Sequence, residues 1–141
     1  MFESIHLSAE RKSISIKASI PHETEIFADK YMFSTILRNL LSNAIKFTPI
    51  GGEVLVEARN WKNDFMQIST IDNGVGISHK IQSQLFDISK NSSTKGTENE
   101  IGTGLGLFLY KEFVEKHNGD IWVESEIDKG SKFSFTIHNG L

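Results

Sequence analysis

Asn39, Asn43 and Lys46 lie in the stretch NLLSNAIKF (39–47), whose apolar spacing is that of a helix. At about 100° per residue the three fall on one arc about 60° wide. Asparagine is a mediocre helix former, because its amide competes with the backbone for hydrogen bonds. Two of them one turn apart in mid-helix therefore ask for a reason. A neutral amide oxygen is a hard ligand suited to Mg²⁺, and a lysine one turn on supplies a point charge for phosphate. The trio could hold a magnesium-bound nucleotide. The same spacing also describes two solvated or locally capping asparagines, and the helix alone does not choose between them.

Two glycine segments carry further chemistry. In DNGVGIS (72–78), Asp72 stands where a strand leaves its sheet, and Gly74 and Gly76 leave the backbone bare for a flat ligand. A carboxylate there can accept a hydrogen bond from an exocyclic amine such as that of adenine. The plainer reading is a loop with glycines at positive φ. In GTGLGL (102–107), Gly102, Gly104 and Gly106 open a helix whose free N–H groups can bind phosphate. The spacing is not the dinucleotide-binding G-x-G-x-x-G, and the phosphate-loop motif and protein-kinase signatures are absent. Here the plainer reading is a helix start with a flexible hinge.

The elements that must position these residues follow from periodicity and breakers. Residues 13–20 alternate as a half-buried strand, and 25–29 (EIFAD) reads as a second short one. Asp29 is an N-cap for a helix to about Thr48, stopped by Pro49 and Gly51-Gly52. On it Phe33, Ile36, Leu37, Leu40, Leu41 and Ala44 share an arc that faces the sheet. Strands at 53–60 and 65–72 form a hairpin, and a short helix covers roughly 78–87. Residues 88–103 are polar and aperiodic, as functional lids or disordered segments are. A helix over 103–119 ends at Asn118-Gly119, and strands at 120–126 and 131–138 close the chain. The order predicts an α/β two-layer sandwich with a mixed sheet.

The 141 residues suit one domain, and the net charge of -3 argues against nucleic acid as the default partner. There is no cysteine, so disulfide and thiolate chemistry are excluded. No apolar run approaches the roughly 20 residues of a membrane helix, and MFESIHLSAERK does not read as a signal peptide. The chain is expected to be cytoplasmic without direct membrane contact. Residues 1–12 read as the end of a helix or linker from a missing upstream domain, and 13–141 as the folded unit.

Taken in order, NLLSNAIKF, DNGVGI, Leu85-Phe86 and GTGLGL resemble the N, G1, F and G2 boxes of the histidine kinase ATP-binding domain. That domain shares a superfamily with DNA gyrase, the Hsp90-type chaperones and mismatch-repair ATPases. The resemblance covers about residues 13 to 138, and HNGDIWVESEIDKGSKFSFTI resembles the family's terminal hairpin. It implies a Bergerat-type fold: a mixed five-stranded sheet with about three helices on one face. It implies ATP and Mg²⁺ as cofactors. Asn43 resembles the Mg²⁺ ligand, Asn39 its companion toward metal and phosphates, and Lys46 the phosphate-contacting lysine; these three are the implied catalytic set. Phe47 stands near the nucleotide where tyrosine is common. Asp72 resembles the reader of the adenine amino group, in a pocket shaped by Gly74, Gly76 and Ile77. Gly102, Thr103, Gly104, Leu105 and Gly106 resemble the phosphate-side hinge of an ATP lid formed by 88–103, from which Lys95 or Lys90 reaches the γ-phosphate.

In the hydrolytic relatives a glutamate one turn before the Mg²⁺ asparagine serves as the base for water. Here that position is Asn39, which accepts no proton usefully near neutral pH. The resemblance therefore implies slow hydrolysis and transfer of the γ-phosphoryl to a histidine. The helical domain bearing that histidine is not in this sequence. His22-Glu23 imitates its motif only superficially, between two expected strands, and His6, His79, His117 and His138 lack the motif and read as surface residues. The implied partners are a dimerisation and histidine-phosphotransfer domain and, indirectly, a response regulator receiver domain, with the isolated chain a monomer. The rival readings are a hydrolytic ATPase module, a non-catalytic nucleotide-binding scaffold, and a kinase for serine on a partner protein.

Overall fold

The computed structural model describes residues 3–21, 29–62, 64–86 and 105–138. Its strands are β1 (Ser15–Ser19), β2 (Glu53–Trp61), β3 (Phe65–Asp72), β4 (Ile121–Glu126) and β5 (Gly130–His138). Its helices are α1 (Glu3–Arg11), α2 (Lys30–Lys46), α3 (His79–Gln82) and α4 (Leu105–Lys116). They form a mixed five-stranded sheet in the order β1-β2-β3-β5-β4. β1 lies parallel to β2, and the other neighbours are antiparallel. The strand expected at 25–29 falls almost wholly outside the described residues.

β3 takes the centre because both of its faces can be buried. Met66 and Ile68 point to the helices, with Ala58 of β2 and Phe133, Phe135 and Ile137 of β5 alongside. Gln67 and Ser69 alternate to the other face yet are also buried. There they form a closed polar row with Ser134: the Gln67 amide nitrogen donates to Ser69 at 3.2 Å and Ser134 at 3.3 Å, and the two serine hydroxyls are 2.8 Å apart. Buried polar groups need such partners. On the same face Trp61 and Trp122 meet at 5.7 Å between ring centroids. They border a shallow concavity of about 570 Å³ that Arg59, Gln67, Glu124 and Lys132 also line.

α2 starts where expected. Asp29 stands outside the helix in extended conformation, and its carboxylate accepts the Met32 N–H at 2.9 Å. The helix stops at Lys46, short of the expected Thr48. The Thr48 hydroxyl donates back to the Ala44 carbonyl at 2.6 Å, and Pro49 disfavours helical geometry in the residue before it. Replacing Asp29 by alanine removes this cap and is expected to lower unfolding free energy by about 1 kcal/mol in urea titrations, with the slope unchanged.

The apolar arc of α2 is divided between two neighbours. Ile36 and Leu40, with Phe33 and Leu37, enter the main core between sheet and helices. Leu41, Ala44 and Ile45 join a second cluster with Ile5 and Ala9 of α1 and Val54 and Val56 of β2. At the end of α1, Lys12 is buried and its ammonium donates to the carbonyls of Ile45 (2.9 Å) and Lys46 (3.3 Å). It thereby caps the C-terminal end of α2 and adds charge of the favourable sign there.

α3 is a single turn, shorter than the expected 78–87. Ser78 caps it, and beyond Gln82 the chain bends so that Leu85 and Phe86 reach the main core. α4 contributes Leu107, Tyr110 and Val114 to that core. It ends as expected: Asn118 adopts φ 64 and Gly119 N–H closes on the Val114 carbonyl at 2.9 Å. No helix among the described residues is long and apolar enough to cross a membrane.

Candidate functional site

The last turns of α2 carry the amide face. Asn39 and Asn43 are half-buried and Lys46 is buried. The Asn43 side chain has no hydrogen-bond partner among the described residues. The Asn39 Nδ2 donates to the Tyr110 phenol oxygen of α4, which leaves Oδ1 without a partner there. Phe47 ends the helix, its N–H bonded to the Asn43 carbonyl at 3.1 Å, and the Lys46 ammonium lies 4.9 Å from its ring centroid.

Asp72 is the last residue of β3 and is 6% exposed. One oxygen, Oδ1, accepts both the Gly74 N–H at 2.9 Å and the Ser131 N–H at 3.2 Å. The carboxylate is thus aimed by two backbone bonds on one oxygen, and Oδ2 takes none from the described residues. Burial raises its pKa above the ordinary carboxylate value, against the pull of the Gly74 and Ser131 bonds.

The loop after Asp72 joins this carboxylate to α2. Val75 N–H donates to the Phe47 carbonyl at 3.0 Å, and a β-carbon at position 74 would collide with that same carbonyl. On its other side the loop is held by the β4–β5 hairpin: Asp128 N–H in the turn donates to the Val75 carbonyl at 2.8 Å, and Ile77 N–H donates to the Ser125 hydroxyl of β4 at 2.8 Å. Gly76 has φ 76, and a side chain there would strike the Glu126 carbonyl. Both glycines therefore let one stretch of this backbone approach another, which fixes where Asp72 stands. Ile77 is buried against Leu107 and Tyr110 in the main core.

The structure thus joins the C-terminal end of α2, which carries Asn43, Lys46 and Phe47 in and just after its last turn, to the loop that holds Asp72, Gly74, Gly76 and Ile77, while Asn39 lies a further turn back on α2, bonded to Tyr110. Lys90, Lys95, Gly102, Thr103 and Gly104 lie outside the described residues. Leu105 and Gly106 form the first turn of α4, whose later residues Leu107 and Tyr110 pack beneath the site. Two features escaped the sequence reading. Tyr110 reads as core by its spacing to Leu107 and Val114, though tyrosine's polar tip signals a partner. Burial raises its phenol above the ordinary value, opposed by Arg38 and the Asn39 bond, so it stays protonated near neutral pH. Thr70, two residues before Asp72 on the same face of β3, has a buried hydroxyl with no hydrogen-bond partner among the described residues.

Among the described residues no group of three or more His, Cys, Asp or Glu side chains could hold a metal ion. A divalent ion at this site would take amide oxygens together with oxygens of its ligand. The partner-free oxygens of Asn39 and Asn43 fit a hard cation of the Mg²⁺ type.

The sequence profile of the histidine kinase-, DNA gyrase B- and HSP90-like ATPases matches residues 28–140. The chain belongs to this family. Within it, the adaptive-response sensory kinase SasA of Synechocystis sp. is 36% identical over 128 residues, which is 90% of this chain and 33% of SasA. The chain thus spans a third of the length of the curated relatives it matches. Full-length ShkA, solved in complex with AMPPNP, is 27% identical with a TM-score of 0.78, over 96% of this chain and 28% of ShkA. The catalytic domain of histidine kinase ThkA has the same fold, with a TM-score of 0.77 at 24% identity, over 98% of this chain and 90% of that one. The ATPase fold and the mixed five-stranded sheet are therefore those the four motifs implied.

Proposed function

We propose that this chain is the ATP-binding catalytic domain of a sensor histidine kinase, which transfers the γ-phosphoryl of Mg·ATP to a histidine on a separate dimerisation domain. The observation that carries the reading is the junction at Phe47, whose carbonyl accepts the Val75 N–H and is closely approached by Gly74. It ties the end of the helix that bears the amides to the loop that follows Asp72, which supports reading the two as parts of one site. In this reading the open oxygen of Asp72 accepts the adenine amino group. Asn43 and Asn39 offer amide oxygens to Mg²⁺, and the Lys46 ammonium faces phosphate. Mg²⁺, when bound, neutralises phosphate charge.

Asn39 is neutral and its nitrogen is occupied by Tyr110. Neither amide in the site can take a proton from water, so the protein here positions and neutralises. The incoming nucleophile is a histidine imidazole: a nitrogen–phosphorus bond forms, the bond from the β,γ-bridging oxygen to the γ-phosphorus breaks, and ADP leaves. The phosphoryl then passes to a response regulator. We place the chain in the cytoplasm, as a monomer when separate from its dimerisation domain.

The test is calorimetric titration with AMPPNP, with Mg²⁺ and with excess EDTA, paired with a phosphate-release assay on ATP. Tight Mg²⁺-dependent binding with slow release is expected. Brisk release by this chain alone would favour a hydrolytic ATPase, and no binding in either condition would favour a scaffold.

A further inference from the structure

We propose that Tyr110 is a positioning residue for the metal-side amide: its phenol oxygen holds the Asn39 Nδ2–H, and so supports the orientation in which Asn39 offers its oxygen to a magnesium-bound nucleotide. The inference rests on the function proposed above and extends it to a residue on a different helix.

The two ends of an asparagine amide are nearly the same shape and opposite in chemistry. Only the oxygen end can ligate a cation. Turning that end toward the ligand turns the NH₂ end toward α4, where it needs an acceptor or becomes a part-buried donor without one. Tyr110 supplies the acceptor from 71 residues away in the chain. Its ring is fixed in the main core among Ile36, Leu40, Ile77, Leu107 and Val114, so the phenol oxygen is a stationary point. The core needs only the ring, which phenylalanine would also provide. A hydroxyl in such surroundings is costly unless it is bonded, and the hydrogen bond it makes is to the asparagine where hydrolytic relatives have a glutamate.

The decisive variant is Tyr110→Phe, which keeps the ring and removes the acceptor. AMPPNP affinity is measured by calorimetry with Mg²⁺ and with excess EDTA, for the parent, Tyr110→Phe, Asn39→Ala and the double variant, alongside thermal melts. The expected result is a loss of about three- to tenfold in the Mg²⁺ condition alone. Metal-free affinity stays the same, and Tyr110→Phe causes no further loss once Asn39 is alanine. Equal losses with and without Mg²⁺, an unchanged Mg²⁺ condition, or additive losses in the double variant would overturn the proposal and leave Tyr110 as a structural tie between α4 and α2. The cycle through Asn39→Ala keeps the test decisive even if Tyr110→Phe lowers the melting temperature. A parent protein whose AMPPNP affinity ignores Mg²⁺ would refute the functional reading itself, and this inference with it.

Discussion

Asp72→Asn is expected to weaken AMPPNP binding by about ten- to a hundredfold while leaving the free protein as stable as the parent or more stable. The affinity loss follows from a hydrogen bond to a charged group, about 1.5–3 kcal/mol. It is aggravated because the asparagine NH₂ would face the adenine amine donor to donor. The retained stability follows from the anchoring geometry. Both backbone N–H groups, of Gly74 and Ser131, bond to Oδ1 alone, and an asparagine oxygen can accept both. What the substitution removes is a buried charge. Burial holds the Asp72 pKa above its unfolded value, so the folded chain binds the proton more tightly than the unfolded chain. The contribution of Asp72 to stability is then fully present below the unfolded value and is lost as pH rises through the folded one. The stability advantage of Asp72→Asn should accordingly grow from about pH 4 upward, where free carboxylates ionise. Thermal melts across that range, beside calorimetry at neutral pH, check both halves. A destabilised variant, or one with parental affinity, would contradict the account.

On the proposed function, Asn43→Ala should reduce phosphoryl transfer from ATP to a histidine-bearing dimerisation domain by at least about a hundredfold, since even residues that merely support a metal ligand cost about 10–100-fold when replaced. The free chain should gain stability. Asn43 is half-buried in the last turn of α2, its side chain has no hydrogen-bond partner among the described residues, and alanine is the better helix former by up to about 0.7 kcal/mol. A urea titration of the free domain and a phosphorylation time course measure the two effects. Parallel losses of stability and activity would mean that Asn43 supports the fold rather than the metal. Asp72 and Asn43 thus share a signature: each is a poor choice for folding, held where a ligand would use it.

That signature is why Asn43 and Asp72 could be singled out as candidates from residue types. Asparagines one turn apart in a helix, and an aspartate followed by two glycines at a strand exit, are local conflicts visible in one dimension. The bounds of β3 were equally legible, because FMQISTID is a strand-forming run closed by a glycine turn. The end of α3 was not: residues after Gln82 have no helix breaker, and the chain bends there to bring Leu85 and Phe86 into the core. Nor was the division of the α2 arc, since which apolar residues meet the sheet and which meet α1 depends on where α1 packs. The glycines were legible as necessary and not as crowded, because the carbonyls that exclude side chains at positions 74 and 76 come from Phe47 and Glu126. Tyr110 stayed hidden for a similar reason. Its ring obeys the helix's apolar period, and the partner of its hydroxyl lies on another helix.

The central claim is that one ligand bridges the amide face of α2 and the carboxylate at the exit of β3. The most direct measurement is a ¹⁵N resonance titration of this chain with Mg·AMPPNP. The account predicts concerted shifts in the side-chain amide signals of Asn39 and Asn43 and in the backbone signals of Phe47 and of Asp72 through Ile77, saturating together at one concentration. Shifts confined to the opposite sheet face around Trp61 and Trp122, or shifts in α2 that saturate apart from those of the Asp72 loop, would contradict it.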